Sequence, residues 1–109
     1  MKYFIATYTH PNEEGWKDYL TAHIKYLEQL VEDEKLVASG PLLNTPVKSA
    51  MLIIKVENVE EAQYIVAQDP FTIQGLVGES TLLEWDPFFG KYQTFKHKML
   101  LTLQKLFRG

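Results

Sequence analysis

The chain contains no cysteine. That excludes a disulfide framework, a thiol nucleophile and any cysteine-ligated metal, and it fits a reducing, cytoplasmic compartment. Long apolar runs are missing too. No stretch approaches the roughly 20 apolar residues that a membrane-spanning helix needs, so no membrane partner is expected. The segment from Met1 to His10 holds too short an apolar run for a secretory leader. Glycine and proline are sparse, at 6 and 5 of 109 residues. No low-complexity linker or internal repeat is visible. Gly75 and Gly78 match neither a Walker motif nor a dinucleotide fingerprint. The 3 histidines, His10, His23 and His97, fall in different predicted elements without ligand spacing. No metal and no other cofactor is expected.

What is present suits one domain with its own core. The chain is 46% hydrophobic and 13% aromatic, with a formal net charge of -3. The charge is unevenly placed. All 14 acidic residues precede residue 91. The last stretch holds Lys91, Lys96, Lys98, Lys105 and Arg108 and no acid. An acidic body with a basic tail argues against a nucleic-acid-binding core. It points to a tail that lies on its own body or on a second copy.

Aromatic and β-branched residues over 2–9 predict a strand. Tyr3, Ile5 and Thr7 share one face, and Phe4, Ala6 and Tyr8 share the other. A strand covered on one side only would alternate more cleanly, so something should cover each face. Asn12 is a candidate cap for a helix over 13–33, with Glu13 and Glu14 at its positive end. Its apolar stripe is Trp16, Leu20, Leu27, Leu30 and Val31. A short strand follows over 35–41, then a connection over 42–50, then a strand over 51–57 that is again apolar on both faces. Asn58 with Glu61 marks the start of a second helix. It is expected to run to Asp69, with a further helical turn in 71–78 and a strand over 79–85. Phe95, Met99, Leu103 and Leu106 predict a third helix over 92–108.

The order is strand-helix-strand-strand-helix-strand. The simplest fold with that order is an α+β, ferredoxin-like βαββαβ sandwich, with both helices on one face of an antiparallel sheet. Residues 1–90 form the domain and residues 91–109 a C-terminal helical extension. The open sheet face can be covered by a second copy or by the tail helix, and the sequence leaves both open.

Two polar residues sit awkwardly on apolar faces. His23 lies three residues after Leu20 and four before Leu27. Asp69 follows Ile65 and Val66 at helical spacing and precedes Pro70, which stops the helix. An aspartate at the negative end of a helix, facing inward, needs a partner or a way out to water. In the ferredoxin-like topology the two helices are neighbours, so His23 and Asp69 are candidates to meet. A carboxylate beside an imidazole holds its tautomer and favours its protonated form.

Four pieces together resemble the YciI-like (YCII-related) family, whose fold is the dimeric α+β barrel. They are the aromatic first strand, the segment His23 to Leu27, the segment Leu36 to Pro41, and Ala67-Gln-Asp69-Pro70-Phe71. The resemblance covers residues 1–88. It implies a homodimer or higher even oligomer, and in each subunit a pocket between sheet and helices that takes a small molecule. It places the family's histidine-aspartate pair at His23 and Asp69, with Ser39, Gly40 and Pro41 on the wall and Phe71 beside them. The tail departs from the family pattern.

Three functions compete. In the first, the protein is an enzyme for proton transfer on a small ring-containing metabolite. His23 is then the acid or base and Asp69 its orienting partner, as in an isomerase, lyase or dehydrochlorinase. In the second it is a non-catalytic small-ligand-binding dimer. In the third it is an interaction module that uses the tail. Ser39 can be nominated as a nucleophile, but a serine before Gly-Pro reads more simply as a turn residue.

Overall fold

The computed structural model describes residues 1–91 together with 102 and 103. Strand β1 (Lys2–Thr9) lies inside the sheet, between β3 (Ser49–Val56) and β4 (Ser80–Trp85). The last strand to place, β2 (Leu36–Leu42), pairs with the outer side of β3, giving the order β2-β3-β1-β4. All pairings are antiparallel. With α1 (Glu13–Glu32) after β1 and α2 (Val59–Gln68) after β3, this is the ferredoxin-like arrangement, the subunit fold of dimeric α+β barrels. A one-turn helix, α3 (Pro70–Ile73), follows α2 directly.

The side-chain period of two sorts the sheet into two faces. Phe4, Ala6 and Tyr8 of β1 and Leu52, Ile54 and Val56 of β3 are buried. Leu30, Ala62 and Ile65 pack on them, so both long helices cover this one face. Tyr26 ties the helices together, its hydroxyl donating to the Ile65 carbonyl at 2.7 Å. Burial, then the Asp69 charge, push the Tyr26 phenol up to about 12. The opposite face carries Tyr3, Ile5, Met51, Ile53 and Leu83, and Leu83 is 67% exposed.

Local signals explain the helix ends. Asn12 caps α1 by accepting from the Gly15 N–H at 3.0 Å, and Asn58 caps α2 by accepting from the Glu61 N–H at 2.9 Å. Helix α1 stops without a glycine. Glu34 takes a φ of 60, the Glu34 N–H donates to the Val31 carbonyl and the Lys35 N–H to that of Leu30. Val31, expected in the buried stripe, is 56% exposed. It lies on the last turn, past the edge of the sheet-facing surface that Leu27 and Leu30 fill.

The expected tail helix over 92–108, and with it the 91–109 extension, falls outside the described residues. Of the extension only Lys91, Thr102 and Leu103 are described, and Thr102 and Leu103 are helical. Among the described residues no helix is long and apolar enough to cross a membrane.

Candidate active site

A cavity of about 280 Å³ opens between the helix-covered sheet face and α1. Its side wall is Trp16, Leu20, His23, Ile24 and Leu27 of α1, and Phe71 of α3 closes one end. The sheet supplies the floor, and a bulge decides which residues of β2 belong to it. Leu36 pairs with Ile54, but Ala38 pairs with Ile53 and Ser39 with Leu52. The register slips between Leu36 and Ala38, so strict alternation from Leu36 fails. Ser39 and Pro41 therefore share the face of Leu52 and Ala50, and Ala38 and Leu42 share the open face.

His23 and Asp69 meet behind this wall. The His23 Nδ1 lies 3.0 Å from Asp69 Oδ1 and 2.9 Å from Oδ2. Oδ1 takes the hydrogen bond, and Oδ2 makes none of its own. Asp69 is fully buried, while the His23 side chain is 12% exposed and lines the cavity. Oδ1 accepts a second time, from the Phe71 N–H at 2.9 Å. Asp69 is thus not a helical residue. Its ψ of 130 ends α2 and starts α3, whose N-terminus it caps. The negative end of α2 is offset by the positive end of α3. Pro70 at the first position of α3 has no N–H to leave unsatisfied there. The pair is made at this corner rather than along the body of α2.

An acceptor carboxylate on Nδ1 assigns the tautomer. In the neutral ring Nδ1 would carry the proton and Nε2 the lone pair. The ring is held by stacking on Phe71, with centroids 4.3 Å apart and planes at 23°. Trp16 stacks on the same phenyl ring at 6.1 Å.

Two cavity residues escaped the sequence reading. His10 is only 3% exposed and packs edge-on against Phe71 at 5.0 Å. Its backbone N–H donates to the Lys48 carbonyl at 2.7 Å, and the Lys48 Nζ sits 4.0 Å over the Trp16 ring. A signal existed. Extending the alternation of β1 by one step puts His10 on the face of Phe4, Ala6 and Tyr8. The same step back along β3 puts Lys48 on the face of Ala50 and Leu52, opposite His10.

Burial, followed by the neighbouring His23 ring, holds the His10 pKa below the ordinary histidine value, and Lys48 adds to this against the pull of Asp69. His10 therefore takes a proton less readily in the folded protein than in the unfolded chain. Stability should be full above the ordinary histidine range and fall as the pH drops through it. Urea unfolding of wild type and His10→Phe across that range measures this. The variant should show the shallower loss.

Comparison with known proteins places the chain. The YCII-related domain profile matches residues 1–86. The chain belongs to the YCII-related family. Among curated proteins no match is found. Among solved structures, it is similar to 5-chloro-2-hydroxyhydroquinone dehydrochlorinase (TftG) from Burkholderia phenoliruptrix in complex with 2,5-dihydroxybenzoquinone. That match has 27% identity, covers 86% of this chain and 100% of that chain, and has a TM-score of 0.68. A protein of Agrobacterium tumefaciens matches at 19% identity over 85% of this chain and 97% of that chain, with a TM-score of 0.48. Within the YCII-related chain described here, Ser39, Gly40, Pro41, Phe71 and His23 all line one cavity, and Asp69 lies behind His23.

Proposed function

We propose that this YCII-related protein is a small-molecule enzyme in which the His23–Asp69 pair moves protons on a ring-containing metabolite. The reaction belongs to the isomerase, lyase or dehydrochlorinase type. One observation carries the reading. A fully buried carboxylate lies against Nδ1 of a stacked imidazole that lines an aromatic-walled cavity, so the neutral ring would carry its proton on Nδ1 and have Nε2 free to accept one. That is the state a general base needs. The aromatic cluster of Trp16, His23 and Phe71 at the wall suits a planar ring.

For a chlorinated hydroquinone the step balances without an oxidant. One ring hydroxyl first ketonises, its proton passing through Nε2 to the carbon that bears chlorine. Nε2 then takes the proton of a second hydroxyl, the freed pair forms C=O, the ring double bond shifts to the chlorine-bearing carbon, and chloride departs with the C–Cl pair. The ring loses HCl and becomes a quinone. The resulting imidazolium is stabilised by Asp69 and returns its proton to water. The test is chloride release from 5-chloro-2-hydroxyhydroquinone, followed by a wider screen of hydroxylated rings, with the pH dependence of the rate recorded. A binding-only protein would bind these rings and turn over none.

The reading includes a homodimer in the cytoplasm, built by packing two open sheet faces. The motive is the apolar content of that face, at Ile5, Met51, Ile53 and Leu83. Its burial is worth roughly 25 cal/mol per Å². Sedimentation velocity should show a dimer at micromolar concentration, and Leu83→Glu should shift it to monomer. A wild-type monomer under those conditions would remove the dimer from the proposal.

A further inference from the structure

The acid–base reading leaves one charged side chain of the cavity without a task. Lys48 lines the cavity beside Trp16 and is half-buried. Its ammonium rests 4.0 Å above the indole face, which screens it less well than water would. Among the described residues it makes no ion pair. Among those residues the lysines that do pair are Lys2 with Glu84 and Lys35 with Glu61. The carboxylate of the cavity region, Asp69, is already engaged by the His23 ring and the Phe71 N–H.

Its position is set by the backbone. The Lys48 carbonyl accepts from the His10 N–H, so the chain entering β3 is pinned to the end of β1. The stem then runs along the helix-covered face toward Trp16. His10 lies across the strand pair, and its burial disfavours a second positive charge there. The cavity thus holds the His10 ring, the hydrogen-bonded His23–Asp69 pair, aromatic walls, and one cation, Lys48, that makes no ion pair among the described residues.

We infer that Lys48 is the substrate-binding residue that selects an anionic ring compound, holding a phenolate, enolate or ring-carboxylate oxygen while the ring lies in the cavity beside Trp16. A cation in a mostly apolar cavity gains most from a ligand that brings the missing negative charge. The same ammonium would oppose binding of a cationic ring. This inference rests on the proposed acid–base site and names the class of molecule it acts on. Proton abstraction from such a ring places added negative charge on oxygen, where a fixed cation is of most use.

The test uses benzoate and benzamide, two rings of the same shape that differ in charge, followed by NMR titration of the Trp16 indole signal. Wild type should bind benzoate about tenfold tighter than benzamide. Lys48→Met keeps the stem and should bring the two affinities together. Lys48→Arg keeps the charge and should retain the preference. Added sodium chloride should weaken benzoate binding to wild type and not to Lys48→Met. The inference is overturned if Lys48→Met still prefers benzoate, if wild type binds both probes equally, or if wild type binds neither. Charge selection does not need proton transfer, so His23→Asn should keep the benzoate preference. Turnover surviving in His23→Asn would instead overturn the acid–base reading and leave this one standing.

Discussion

His23→Asn should lower turnover by about 100- to 10,000-fold, the usual contribution of a positioned acid or base. The asparagine amide can still donate to Asp69, so the buried carboxylate keeps a partner. What disappears is the imidazole that takes and returns the proton. Some stacking on Phe71 goes with it, and the melting temperature should fall only modestly. Steady-state rates on any substrate found in the hydroxylated-ring screen, measured beside a thermal melt, separate the two effects. A variant that keeps its rate within a few-fold would end the assignment of His23. The pH–rate profile gives a second check, since the limb that belongs to the imidazole should vanish from the residual activity.

Asp69→Ala should damage both stability and turnover. The residue is fully buried and serves two donors, the His23 Nδ1 and the Phe71 N–H. Removing it strands both and uncaps α3. Each stranded buried group costs about 1–3 kcal/mol, and each kcal/mol moves the melting temperature of a domain this size by about 4–8 °C. Asp69→Asn isolates the electrostatic part. The amide oxygen can keep the Phe71 contact, but the charge that favours imidazolium and fixes its tautomer is gone. Turnover should drop by about 100-fold or more while most of the stability remains. Because the two residues act as a unit, His23→Asn combined with Asp69→Asn should be little slower than His23→Asn alone. Multiplying losses in the double variant would show that they work independently.

Much of the architecture follows from local pattern. β-branched and aromatic runs mark the strands, Asn12 and Asn58 mark the helix starts, and the element order leaves few topologies. His23 and Asp69 are conspicuous in sequence because each places a polar group on an apolar face. That signal is local. What each residue then does is not, because a partner 46 positions away is brought near only by the packing of α1 against the corner between α2 and α3.

Three features belong to the tertiary structure alone. The bulge in β2 turns Ser39 and Pro41 into the cavity, and no alternation in Leu36 to Pro41 announces it, since the slip depends on pairing with β3. The capping role of Asp69 needs a second helix to begin where the first ends, and a four-residue helix carries too little periodicity to read. His10 and Lys48 look like turn and loop residues along the chain. They share a cavity because an antiparallel register sets the end of one strand opposite the start of another. Sequence by itself determined which segments become strands and helices and which residues cannot be comfortable in them, because those depend on neighbours along the chain. Which uncomfortable residues face one another, and around what space, was decided only by the fold, because those contacts are set by pairing register and packing between segments distant in sequence.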